Sequence, residues 1–136
     1  MMRFLAIFLL AFLSSPGHAR TPEIVSMHEQ MLYTVVQVAA NRSMGSGTVI
    51  WSEEVDGEWL TLILTNHHVV RANIAVKTEW SPSEQEDVKT ERLTPVKVRW
   101  HLYSDLSTFV GTTGKTAIIK AYDANADLAL IQISDT

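Results

Sequence analysis

Cysteine is missing from this chain altogether. Its absence excludes both a disulfide framework and a thiolate metal site. Basic residues are scarce as well: 11 Lys and Arg stand against 15 Asp and Glu, a formal net charge of −4, and they form no stripe or patch. A nucleic-acid partner is not expected, because binding phosphate takes concentrated positive charge. The five histidines do not suggest a metal either. There is no HExxH, His18, His28 and His101 stand alone, and His67 and His68 are adjacent. Neighbouring side chains point to opposite faces of a strand, or about 100° apart on a helical turn, so such a pair cannot easily share one ion. No cofactor is expected. Internal repeats and low-complexity tracts are also lacking, and after the first twenty residues no apolar run approaches the roughly 20 residues that span a bilayer.

Those first twenty residues have a different character. Met1-Met2-Arg3 gives a short positive start, Phe4–Leu13 is an unbroken apolar run, and "SSPGHA" places Gly17 and Ala19 where a signal peptidase needs small residues. This predicts a secretory signal peptide over 1–19, cleaved after Ala19. An uncleaved anchor is the weaker alternative, since the run is too short to span a bilayer. The expected location is extracytoplasmic, periplasmic or secreted. An exported domain without disulfides must depend on an ordinary hydrophobic core, which suits a bacterial setting.

The rest of the chain reads as strands. Thr21-Pro22-Glu23 resembles a helix start, with proline in the first turn, and predicts a short helix to Gln30. The period then changes to two. Strands are predicted at Leu32–Ala39, Thr48–Trp51, Trp59–Leu64, Asn73–Glu79, Pro95–Tyr103, Thr116–Tyr122 and Asp127–Ile133. Asp56-Gly57 is an expected hairpin turn with positive φ. The polar stretch 81–92 has no periodicity and is read as an exposed loop. Short strands joined by turns, with one brief helix, indicate an all-β barrel or sandwich.

Chemistry could arise where a histidine meets a carboxylate. A neutral imidazole can take a hydroxyl proton near neutral pH if an acid holds its other nitrogen in the right tautomer. Asp127, in "DANADLALIQI", enters an apolar strand, where an acid is costly unless hydrogen-bonded. Asp123 is more simply a turn residue.

Three segments then combine. "GSGTVI", "LILTNHHVV" and "DANADLALIQI", in that order, resemble the trypsin-like serine proteases, in particular their bacterial HtrA/Deg-type branch. The resemblance extends over roughly Glu23 to Ser134, and "TVVQVAA" looks like the family's first strand. It implies a six-stranded Greek-key β-barrel, the first of a trypsin-like double barrel, preceded by a short helix. It also implies that His68 is the catalytic base and Asp127 the acid that orients it, with His67 a bystander. Ser46 in Gly45-Ser46-Gly47 does not match the nucleophile. Its glycines are read as permitting a turn and close approach. The family's nucleophile belongs to a later Gly-x-Ser-x-Gly segment, and none follows Asp127 before Thr136. The expectation is therefore a domain over 20–136 that is the N-terminal barrel of a serine endopeptidase. Its second barrel is the missing intramolecular partner, and protein or peptide is the substrate. The alternative is a non-catalytic barrel module that binds protein or peptide.

Overall fold

The computed structural model describes residues 22–104 and 108–135. The expected signal peptide, 1–19, lies outside them. Helix α1 (Pro22–Tyr33) starts at its proline, with Glu23 in the first turn, where the helix dipole favours an acid. It runs past Gln30 and takes in Leu32 and Tyr33, which the sequence assigned to the first strand. Thr34 then donates its hydroxyl to the Gln30 carbonyl at 2.7 Å, occupying one of the acceptors that a helix end leaves free.

Eight strands follow among the described residues: β1 (Val35–Ala39), β2 (Met44–Val55), β3 (Glu58–Thr65), β4 (Ile74–Ser81), β5 (Glu86–Leu93), β6 (Val96–Ser104), β7 (Thr108–Asp123) and β8 (Leu128–Asp135). Six of them close into an antiparallel barrel in the order β1-β2-β3-β8-β7-β6, with β6 pairing back onto β1. A barrel rather than a sandwich is therefore what these strands build. Alternation supplies the interior. Val36 and Val38 of β1, Ile63 of β3, Val96 and Val98 of β6, Ala117 and Ile119 of β7, and Ala129, Ile131 and Ile133 of β8 are all buried. Irregular register in β2 and β7 lets these long strands bend around so small a core.

Asp56 (φ 54°) and Gly57 (φ 85°) form the expected two-residue turn between β2 and β3. Gly45-Ser46-Gly47 differs from its reading. No turn occurs there, because the segment is extended within β2 and the chain reverses earlier, where Ala40 N–H donates to Ser43 O at 2.9 Å. The close approach is present. A Cβ on Gly45 would lie 2.5 Å from a Val69 methyl, and one on Gly47 would lie 2.8 Å from a methyl of Ile63.

The second correction concerns 81–92. Instead of a loop, Glu86–Leu93 is a full strand paired with Ile74–Ser81 in a separate two-stranded sheet. The hairpin stands between the third and fourth barrel strands, and none of its residues is fully buried. Its base is pinned by Asn73, itself buried: the amide donates to the Pro95 carbonyl at 2.8 Å and the Thr94 carbonyl at 3.3 Å, and the side-chain oxygen accepts Asn41 N–H at 2.9 Å.

Candidate functional site

One end of the barrel is closed by the segment that follows β3. Thr65 points inward and is buried, donating its hydroxyl to the Ser46 carbonyl at 2.8 Å. The chain then leaves the sheet and makes a single turn of helix, α2 (His67–Val70), continued by a 3₁₀ turn over Arg71–Asn73. Val69 and Val70 are buried against the core and seat this turn on the barrel end, while the Ser43 hydroxyl donates to the Val69 carbonyl. Glycine at 45 is what allows Val69 to come so near. With its valines inward, the turn leaves His68 facing solvent.

Asp127 arrives from the opposite direction. Asp123 ends β7, and its carboxylate accepts the N–H groups of Asn125 at 2.8 Å and Ala126 at 3.1 Å, which is the turn role its position indicated. Asp127 follows in the left-handed region at φ 53°, immediately before β8. Aspartate tolerates this conformation better than most residues.

The two chain ends meet through a paired contact. One carboxylate oxygen of Asp127 (Oδ2) lies 2.7 Å from His68 Nδ1, and the other (Oδ1) accepts the His68 backbone N–H at 2.9 Å. Asn66, at the start of α2, does not cap it; its side-chain amide donates instead to Asp127, at 3.1 Å to the carbonyl and 3.4 Å to Oδ2. The carboxyl of Asp127 is held below its ordinary range, first by the His68 backbone N–H and then by the His68 ring. Side-chain exposures of 63% for His68 and 44% for Asp127 leave the pair open to a reactant.

Chemically, an ionised carboxylate on Nδ1 puts the proton on that nitrogen and leaves Nε2 as a base directed away from the acid. Sequence reasoning named both members of the pair. It missed Asn66, whose role depends on a residue 61 positions away. It also missed Tyr122. The ring of His67 stacks on Tyr122 with centroids 5.2 Å apart and an interplanar angle of 21°, and the His67 N–H donates to the Asp127 carbonyl at 3.2 Å. His67 thus has contacts of its own beside the pair. The Tyr122 hydroxyl donates to Glu91 of the hairpin at 2.7 Å, and this bond to a carboxylate pushes the phenol's pKa up. No spacing signal marks either residue. Ser46 contributes its carbonyl to Thr65 and borders a cavity of about 260 Å³ beside Asn66 and Leu128. A further cavity of about 260 Å³ lies against Leu64, Tyr122 and Leu128. Among the described residues, no group of three His, Cys, Asp or Glu could hold a metal. No protein-family model, no curated protein and no solved structure matches the chain.

Proposed function

We propose that this chain carries the base and the orienting acid of an exported trypsin-like serine endopeptidase of the HtrA/Deg type. The observation that carries this reading is the doubled contact of Asp127 with His68, at 2.7 Å to the ring and 2.9 Å to the backbone N–H. An acid that only stabilised a turn would not need to reach Nδ1. In this reading Asp127 fixes the tautomer, and Nε2 takes the proton from a serine hydroxyl as its oxygen attacks a peptide carbonyl. The imidazolium, stabilised by Asp127, returns that proton to the leaving amine, and water then repeats the sequence on the acyl-enzyme. The serine belongs to a later Gly-x-Ser-x-Gly segment in a second barrel, and the barrel described above is the Greek-key first half. The substrate is protein or peptide.

The second reading is a non-catalytic module. The apolar cavity at Leu64 and Leu128 favours it, since such a cavity could take a peptide side chain. Labelling separates the two. The full gene product should react with a fluorophosphonate probe, and His68→Ala or Asp127→Asn should slow peptide hydrolysis by about 10⁴. A folded product that carries the Gly-x-Ser-x-Gly serine yet takes no label would sink the hydrolase reading.

A further inference from the structure

A helix of four residues cannot hold itself, because it is too short to repay the cost of its own nucleation. The direction of the His68 ring is therefore set by whatever grips α2 from outside. Val69 and Val70 anchor its inner side. On its outer side His67 is held twice, and both grips come from the same turn: Asp127, at the end of the turn, accepts its N–H, and Tyr122, just before the start of the turn, stacks on its ring. Tyr122 packs against the core from β7, and its hydroxyl bond to Glu91 reaches β5 of the hairpin. A cavity of about 380 Å³, lined by Glu91, Leu93, Lys120, Ala121 and Tyr122, opens between hairpin and barrel wall. Apolar packing therefore does not fill the space around that bond. The hairpin is fixed at its base by Asn73 and, further out, by the Tyr122 phenol.

We propose that Tyr122 is a positioning residue for the His68–Asp127 pair, tying the β4–β5 hairpin to the turn that carries the base. This rests on the reading of His68 as that base. The hairpin follows α2 in the chain after the 3₁₀ turn Arg71–Asn73. Through Glu91, Tyr122 and His67, its seating bears on the imidazole, and the three residues form one continuous line of contact from the hairpin to the residue beside His68.

The test uses the full gene product. Three quantities are read: the downfield NMR proton of His68 Nδ1–H, amide exchange over residues 86–93, and the rate of fluorophosphonate labelling. Tyr122→Phe removes the bond to Glu91 and keeps the stack, so exchange over 86–93 should accelerate about tenfold and the His68 proton should broaden, less than when the stack itself is lost. His67→Ala and Tyr122→Leu remove the stack, so that proton should broaden or disappear and labelling should slow roughly tenfold. Glu91→Gln retains an oxygen acceptor and should behave nearly as the unaltered protein. An unchanged His68 proton in His67→Ala, or unchanged exchange over 86–93 in Tyr122→Phe, overturns the proposal. Should Tyr122→Leu fail to fold, His67→Ala decides. Absence of labelling in the unaltered protein would remove the hydrolase reading alone, because the proton and exchange measurements require no serine.

Discussion

Asp127 combines three demands on one residue: a left-handed backbone, two hydrogen bonds to His68, and a carbonyl that accepts from both His67 and Asn66. Its side-chain contacts favour the ionised carboxylate, so its folded pKa lies below the unfolded value. The sign of the linkage follows. A depressed carboxyl contributes stability that is present above its unfolded pKa of about 4 and is lost as pH falls through the folded value. Asp127→Asn keeps an oxygen for the His68 N–H but cannot ionise. The urea midpoint of the unaltered protein should exceed that of the variant at pH 6, and the gap should shrink as pH drops below about 4. A gap independent of pH would show that the carboxylate charge is not what stabilises the pair. His68 and Asp127 could be named from the sequence because each lies in one of the short segments on which the resemblance rests. Asn66 and Tyr122 could not, since neither lies in a pattern that marks a role, and only the fold shows which residues they meet.

Among the elements, the strands with one buried face were readable; of the two without one, β4 was read as a strand and β5 was not. β1 alternates because its even positions enter the core and its odd positions face out. β5 has no buried face, so nothing constrains its polar residues to a period of two, and a real strand looks like a loop. The start of β2 was hidden differently. Gly45 and Gly47 look like a turn, yet they are extended positions where Val69 and Ile63 exclude a side chain. Two glycines therefore answer to different physics. Gly57 has open space around it and a φ of 85°, so Gly57→Ala should cost about 1 kcal/mol through backbone strain alone. Gly47 has ordinary extended backbone but meets Ile63 and Val38, so Gly47→Ala should cost about 1–3 kcal/mol through overpacking. Urea unfolding of both variants checks this, and pairing each with Ile63→Leu, which removes the Cγ2 methyl that meets position 47, separates the causes. Loss of that methyl should relieve Gly47→Ala and leave Gly57→Ala unaffected. Equal relief of both would refute the assignment.

For the molecule as a whole, closure is the property that local patterns could not supply, since a sandwich and a barrel use the same alternating strands. What distinguishes them is that β1 pairs with both β2 and β6, and that β8 lies between β3 and β7. Every strand of the barrel then has two neighbours and no edge remains, whereas β4 and β5 each pair only with the other. Two levels of stability should result. Opening any one barrel strand breaks two ladders and exposes part of a single shared core, so the six should open together at the cost of global unfolding. Opening the hairpin breaks one ladder and exposes no fully buried side chain, so it should require far less. Native-state hydrogen exchange in rising urea is the measurement. Amides of Ile63, Val98 and Ile131 should exchange along one common isotherm, and those of Lys77–Glu79 and Lys89–Glu91 along a shallower one well below it. The Ile74 and Leu93 end of the hairpin should be protected between these levels, because Thr94 closes it on Asn73 and Asn73 in turn accepts the Asn41 N–H. If the hairpin instead followed the barrel isotherm, its attachment through Tyr122 and Asn73 would be rigid enough to make it part of the same cooperative unit. The hairpin could then not move independently of the site. If β1 or β6 opened separately from the other barrel strands, the closure between them would contribute nothing, and the fold would behave as an open sheet.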